Sequence, residues 1–454
     1  MRLNFFKTYF FFVLLLCGFA DAAGDRLSPA APALLPHTER AMKTAGFWIG
    51  RHPFPDKVIL APDEIERFNA KVRDELSLTK DLLKLPAEFS GDELRRTFTQ
   101  TLKEFQEKKY YLGAMKAGKD FFQEMKANMN LDAVPEKIRP RFGFIARFAD
   151  QRFFPTDEGL YEKPNDRDFD ELQDSDLDAG TPVIVLHTSQ DGKWFYVLSE
   201  LLDGWVKAEK VGLCPSEQEF KDYFSKERFG VVIAAKADIF WDANLSEYYD
   251  YVRMGVKFPV SRIMDNGIVE VVVPARSVDG TVRFKRGYMK KEDMHEGYLS
   301  YTPRHIMEQA FKLLNEPYGW GGMHGEQDCS RFLQEVFATV GINFPRNSSQ
   351  QAQIGRPLAQ FDTKMSEAER LKVLREAVGG ITILPMPGHI MLFLGMVDER
   401  LYAIHATWGY REKIGREESS RVINRVAVSD LSLGEGTLKG SLLRRLKSVV
   451  LIAL

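Results

Sequence analysis

Tyr318-Gly-Trp-Gly-Gly-Met-His-Gly-Glu-Gln-Asp-Cys-Ser330 sets a single cysteine, flanked by Asp328 and Ser330, where a glycine-rich loop meets an amphipathic run. Beyond it Phe332, Leu333, Val336, Phe337 and Val340 recur at the spacing of one helical face, and Gly341 stands where a C-terminal cap would. The spacing predicts a helix with Cys329 in its first turn. Unpaired amides there carry partial positive charge, which favours thiolate over thiol, and the thiolate is the form that attacks a carbonyl carbon. Cys329 is the candidate nucleophile.

A nucleophilic thiol needs a base to take its proton and a third group to hold that base. Two downstream histidines fit. His389 opens an apolar run bounded by Gly388 and Gly395, and His405 lies in Leu401-Tyr-Ala-Ile-His-Ala-Thr407; both runs read as buried strands. Asp398, Glu399 and Arg400 between them predict a hairpin. Side chains alternate along a strand, so His389, Met391 and Phe393 share one face, and Leu401, Ala403 and His405 share one face of the partner. Whether those two faces coincide depends on a register that the sequence leaves open.

Pro317-Tyr-Gly-Trp-Gly-Gly322, Asp328-Cys-Ser330, Phe344-Pro-Arg-Asn-Ser348, Gly388-His389 and Ile404-His-Ala406, in this order over the last third of the chain, resemble the NlpC/P60 cysteine peptidases. The resemblance implies a papain-like α+β core with Cys329 as nucleophile, His389 as base and His405 as third polar residue. It also implies substrate contacts at Tyr318, Asp328, Ser330 and Ser348, the positions matching those used by peptidoglycan-recycling members. Arg331 departs from the pattern, since a glycine usually follows Asp-Cys-Ser in the family.

Each residue also has a structural reading. Asp328 is a favoured helix N-cap and Ser330 a support for it. Trp320 and Tyr318 can be core, Ser348 lies in the polar stretch Asn347-Ser-Ser-Gln-Gln351, and His324 reads as a loop residue. The order of both histidines after the cysteine is what favours the catalytic reading.

A chain of 454 residues is too long for one core and predicts about three or four domains. With 44% hydrophobic residues, 28% charged and a net charge of −2, it carries no basic excess that would point to nucleic acid or to an anionic membrane surface. No Cys/His cluster has zinc-like spacing, so neither a metal nor another cofactor is expected.

At the N-terminus Arg2 and Lys7 precede the apolar run from Tyr9 to Phe19, and Ala20-Asp-Ala22 offers small residues to a signal peptidase. Residues 1–22 therefore read as a signal peptide, and export to the periplasm or medium is expected. The run is shorter than the ~20 residues that span a bilayer, so no stable membrane insertion is expected after its removal. Lipidation at Cys17 is disfavoured by Leu16, a poor substitute for the small residue that precedes a lipidated cysteine. Of three cysteines, Cys214 and Cys329 would remain. A disulfide between them would block the nucleophile, so Cys214 is expected to be an idle thiol.

The rest divides into four expected domains. Residues 23–135 are helical in pattern, with Ile65, Phe68, Val72 and Leu76 on one stripe after Pro62. Within them Gly46-Phe-Trp-Ile-Gly50 to Pro53-Phe-Pro-Asp56 resembles the N-terminal stabilising segment of some NlpC/P60 enzymes. Residues 136–214 and 215–299 turn to short strands with turn residues such as Ser189-Gln-Asp-Gly192 and Val278-Asp-Gly280, and look like two bacterial SH3-type barrels. Residues 300–454 form the peptidase. The fold class expected is thus multidomain α+β.

Two barrels ahead of the peptidase resemble γ-D-glutamyl-L-diamino acid endopeptidases, in which the first barrel helps to recognise the free amine of an L-alanine. The partners implied are peptidoglycan-derived peptides. Asp168-Phe-Asp-Glu-Leu-Gln173 offers several carboxylates for that amine, with no basis for choosing one. Alternatives are a thiol amidase or acyltransferase of the same fold, since fold and triad do not set the acyl donor, and a non-catalytic wall-binding protein working through its barrels.

Overall fold

The computed structural model describes residues 29–362 and 364–454. The expected signal segment lies outside them. Among the described residues no helix is long and apolar enough to cross a membrane. The architecture is multidomain α+β, and the chain divides into two compact units.

The first unit comprises Ser77–Tyr298 with Gly319–Glu326. It opens with helices Gly91–Gln106 and Lys119–Asn128. Phe98 of the first is buried against Tyr196 and Trp205, with ring centroids 4.8 and 5.2 Å apart. Two seven-stranded sheets follow, antiparallel in every pairing. In the first, Gln173–Leu177 lies at one edge and Val211–Leu213 at the other. Ile145, Val183, Val185, Val197 and Val206 fill its core. Its Ser189–Gly192 turn forms as the residue types require: Gly192 takes φ +72°, and the Asp191 carboxylate accepts from Ser189 Oγ and Lys193 N.

In the second sheet Ile268–Arg276 and Val282–Lys290 pair in unbroken register from Ile268–Lys290 to Arg276–Val282. Arg253 of this sheet is fully buried and ion-paired to Asp176 and, at 2.7 Å, to Asp178. Two carboxylates and the bonds from Arg253 Nε and N to Asp178 offset the desolvation that an isolated buried cation would incur.

The second unit comprises residues 29–76 with Leu299–Tyr318 and Gln327–Leu454. The segment read as one helical domain over 23–135 is therefore divided after Leu76. The physical reason lies in its aromatics: Trp48 is buried beside Tyr402 of this unit, whereas Phe98 is buried in the other. Trp48 Nε1 donates to the Met42 carbonyl at 2.8 Å, and Tyr402 donates its hydroxyl to the His37 carbonyl at 2.7 Å.

Six strands form the sheet of this unit: β1 Arg356–Gln360, β2 Thr382–Met386, β3 His389–Val397, β4 Arg400–Ile414, β5 Glu417–Asp430 and β6 Ser448–Leu451, in the order β1-β6-β2-β3-β4-β5. Helices α1 Pro303–Lys312, α2 Cys329–Ala338, α3 Ser348–Gln351, α4 Glu367–Leu374 and α5 Leu442–Arg445 accompany it. Phe332, Leu333, Val336 and Phe337 of α2 are fully buried, and α2 packs on β3 and β4. After α2 the chain closes with Gly341 at φ +83°, the C-terminal cap expected from the glycine, with the Gly341 amide donating to Ala338 and the Ile342 amide to Phe337 in a Schellman arrangement.

Candidate active site

Cys329 begins α2, and Asp328 is the cap before it: its Oδ1 accepts from the amides of Ser330 and Arg331 at 3.1 and 2.8 Å. The same oxygen accepts the Ser330 hydroxyl at 2.9 Å. Arg346 then clamps the cap, donating from Nη2 to Asp328 Oδ2 at 2.6 Å and from Nη1 to Ser330 Oγ at 2.9 Å. Gln351 completes the support by donating to the carbonyls of Ser330 and Pro345. All of this is buried. Burial alone would raise the Asp328 carboxyl, but the Arg346 charge and the converging donors outweigh it and hold the group below its ordinary value.

On the sheet, β3 and β4 pair as a hairpin with Asp398 and Glu399 at its turn, both at positive φ. The register sets Leu392 against Ile404 and Phe393 against Ala403, which carries His405 to the same face as His389. His389 Nε2 lies 2.6 Å from His405 Nδ1. His405 Nε2 in turn lies 2.8 Å from Oγ of Ser429 on β5, and Ser429 is fully buried. Cys329 reaches this row through the backbone, because the Ile390 amide, next to His389, hydrogen-bonds its sulfur. With Nε2 of His389 taken by His405, Nδ1 is the ring nitrogen left for a thiol proton.

The tautomers follow as a chain. If Nδ1 of His389 is bare, Nε2 carries the proton and donates to His405 Nδ1, and His405 then donates from Nε2 to Ser429 Oγ.

Electrostatics here depart from the local expectation at the helix start. Burial pushes the Cys329 thiol up to about 12, and the Asp328 carboxylate adds to the rise, while the amides of Ile390 and Ser330 and the Arg346 charge only partly oppose it. Burial also lowers His389 well below its ordinary value, aided by His405 and Arg445, and lowers His405 to about 3. These shifts favour the thiol form of Cys329 and the neutral form of His389. The amides expected to favour thiolate are shared with Asp328, which accepts from those of Ser330 and Arg331.

Tyr318 belongs to this site: its phenol is raised by burial and by the nearness of Cys329 and Asp328. Its backbone pairs with Gln327 and donates to the Asn424 carbonyl at 3.2 Å. Ser348 is half-buried at the start of α3, two residues past Arg346 and outside the Asp328–Ser330–Arg346 network. Arg331 pairs with Glu335 along α2 at 3.0 Å.

Trp320 to Glu326 belong to the first unit instead. Trp320 packs edge-on against Phe169. A Cβ on Gly322 would lie 2.2 Å from Asp176 Oδ2 and one on Gly321 2.5 Å from the Gln173 carbonyl oxygen, at φ +86° and +60°. Those glycines are required by close backbone approach as well as by the turn. Within the first unit, Asp170 is paired with Arg152 at 2.9 Å, whereas half-buried Glu171 is raised to about 8 by burial and by Glu162. Cys214 and Cys329 are free thiols, and burial pushes Cys214 up to about 12.

Two residues of the site were not singled out from sequence. Arg346 stood inside a quoted motif, and a charged residue between Pro345 and a polar stretch is the signal that could have marked it. Ser429 had no such signal.

The NlpC/P60 family model matches residues 315–398, and a model of an SH3 domain of the SH3b1 type matches residues 160–207. The chain carries an NlpC/P60 domain and an SH3b domain. It is 34% identical over 76 residues to the bifunctional muramidase/DL-endopeptidase CwlT of Bacillus subtilis strain 168. That match takes in 16% of this chain and 23% of the relative, so the chain spans less than a quarter of it. An NlpC/P60 endopeptidase from Photobacterium damselae subsp. piscicida superposes with a TM-score of 0.73 at 20% identity, covering 94% of this chain and 99% of that one. An NlpC/P60 family protein from Bacillus cereus ATCC 10987 gives 0.49 at 16% identity, over 69% and 100%. The first likeness is one of fold.

Proposed function

We propose that this protein is an exported hydrolase of peptidoglycan peptides that cleaves the γ-D-Glu–L-diamino acid bond, with Cys329 as nucleophile, His389 as base and His405 as its orienter. The observation that carries the reading is the row from the Cys329 sulfur, through the neighbouring Ile390 amide, to the 2.6 Å contact between His389 and His405. The NlpC/P60 match over residues 315–398, which takes in Cys329 and His389, supports it, and the basic, apolar, small-residue order of residues 1–22 supports export. The second seven-stranded sheet is read as a second SH3-like barrel, with residues 1–22 as the export signal, 136–214 and 215–299 as the two barrels and 300–454 as the peptidase. That arrangement favours short peptides with a free N-terminal L-alanine. Tyr318, Asp328, Ser330 and Ser348 are the proposed substrate contacts, with Asp328 and Ser330 acting also through the helix cap.

The chemistry is acyl transfer. Cys329 passes its proton to His389 Nδ1 as the sulfur bonds to the γ-carbonyl carbon of D-Glu, and backbone amides near the start of α2 stabilise the oxyanion. Collapse breaks the C–N bond, and His389 gives the proton to the departing amine. Water, deprotonated by His389, then attacks the thioester and releases the acid and the free thiol. Because thiol and imidazole are both neutral at rest, proton transfer accompanies attack.

L-Ala-γ-D-Glu-meso-diaminopimelate, with its N-terminus free or acetylated, followed by mass spectrometry, tests the reading. Release of L-Ala-D-Glu from the free peptide alone is expected. Equal cleavage of both would remove the free-amine preference, and cleavage of neither would remove the bond assignment.

Ser429→Ala tests the tautomer chain. Without the Ser429 acceptor, His405 is free to carry its proton on Nδ1, which turns a donor toward His389 and moves the His389 proton to the nitrogen that must be bare. kcat should fall about tenfold to hundredfold, the rate equivalent of one buried ring nitrogen left unpartnered. KM should change little, and Ser429→Thr, which keeps the hydroxyl, should restore most of the rate. An unchanged kcat in Ser429→Ala would mean that the serine does not order the pair.

A further inference from the structure

Arg445 ends α5, the short helix between β5 and β6. Its neighbour Arg444 is exposed, but Arg445 is half-buried, and burial lowers its guanidinium. The chain just past it is tied to the catalytic hairpin: Lys447 N donates to the Pro385 carbonyl at 2.9 Å, and Met386 pairs with His389 across the β2–β3 turn. The Arg445 charge acts on His389 itself, adding to burial and to the neighbouring His405, which also disfavour its protonation.

Among the described residues no carboxylate pairs with Arg445 and no carbonyl accepts from its guanidinium. The buried arginines Arg152, Arg253, Arg346 and Arg370 all have such partners. The ordinary task of a basic residue at a helix C-terminus is also taken, since Arg370 donates to the Leu443 and Leu446 carbonyls. None of the Arg445 nitrogens is a buried orphan, so the head stays open to solvent. A half-desolvated cation beside a base is unfavourable unless an anion joins it, because its charge opposes the proton that the base must take. The fork of donors on a guanidinium matches a carboxylate in two parallel bonds.

We propose that Arg445 binds a substrate carboxylate next to the scissile bond. The assignment rests on the peptide-hydrolase reading above. Two carboxylates flank that bond, the α-carboxylate of the γ-linked D-Glu on the acyl side and the α-carboxylate of the diamino acid on the leaving side. Either would meet the guanidinium in the same way, and would offset the charge that weakens His389 as a base at the moment substrate arrives.

The test compares wild type, Arg445→Met and the exposed-site control Arg444→Met on three peptides: the free acid, the D-Glu α-amide, and the diamino acid α-amide. Wild type should prefer the free acid over one of the amides roughly tenfold to hundredfold in kcat/KM, the range of one charge-assisted hydrogen-bonded pair. The amide that loses activity identifies the carboxylate. Arg445→Met should lose as much on the free acid, mostly through KM, and should equal or exceed wild type on that amide, where wild type keeps an uncompensated charge near His389; Arg444→Met should behave as wild type. A wild type that cleaves all three peptides equally overturns the assignment without recourse to any variant. So does an equal loss in Arg445→Met on acid and amides. If wild type cleaves none of them, the hydrolase reading fails, and the assignment with it.

Discussion

Cys329→Ala is expected to abolish peptide cleavage, with kcat lowered by at least about 10⁴-fold, because in the proposed mechanism the thiol is the atom that forms the acyl intermediate and alanine offers no nucleophile in its place. Binding of the uncleaved peptide to the variant, measured by calorimetry, should persist. Residual turnover above that bound would shift the nucleophile elsewhere. The thiol itself has a checkable signature. Burial raises Cys329 to about 12, so the reactive thiolate is scarce at neutral pH and its fraction increases about tenfold per pH unit until that value is approached. Iodoacetamide labelling, read by intact mass, should therefore climb through the neutral and mildly alkaline range without levelling near the value of an ordinary thiol. A plateau at neutral pH would instead mean a preformed thiolate–imidazolium pair.

Arg346→Met should be the most damaging substitution for stability around the site. It removes the clamp on Asp328 and leaves a buried carboxylate facing only the cap donors, a loss of about 3–5 kcal/mol for a broken buried pair. The pH dependence has a definite sign. In the native protein the Asp328 carboxyl lies below its ordinary 3.8, so its contribution is present above that value and is lost as pH falls through the folded-state value. In the variant, burial is no longer outweighed and protonation relieves the unpaired charge. The stability gap between wild type and variant should therefore be widest near neutral pH and should narrow below about pH 4. Urea unfolding at several pH values would measure this. A gap independent of pH would place the loss in packing of the Arg346 stem. Asp328→Asn in the Arg346→Met background, which removes the orphaned charge, should recover part of the stability.

The parts of the site that could be read from the chain are those governed by near neighbours. The period of Phe332, Leu333, Val336 and Phe337 sets a buried helical face, Asp328 is a favoured cap, and Gly341 ends the helix in the left-handed conformation that a Schellman turn needs. The β3–β4 hairpin was equally visible, since two apolar runs around Asp398 and Glu399 have few other ways to pair. What lay beyond reach were relations between distant segments. Arg346 meets Asp328 across 18 residues, Ser429 meets His405 across 24, and Arg445 approaches His389 from the end of another helix. No periodicity encodes such meetings.

By itself, the sequence determined that one cysteine opens an amphipathic helix and that two histidines follow on strands, because helix periods, caps and strand alternation are short-range consequences of residue type. Tertiary structure decided which strand faces coincide, how the Trp320–Gly322 motif seats on Gln173–Leu177, and in which direction the Cys329 thiol is shifted. The last is the clearest case. A helix start favours thiolate through a partial charge spread over a few amides, but burial removes water from the sulfur, and Asp328 occupies those amides with a full negative charge of its own. The loss of solvation exceeds the local field, and solvation is a property of the packed molecule rather than of the residues beside Cys329.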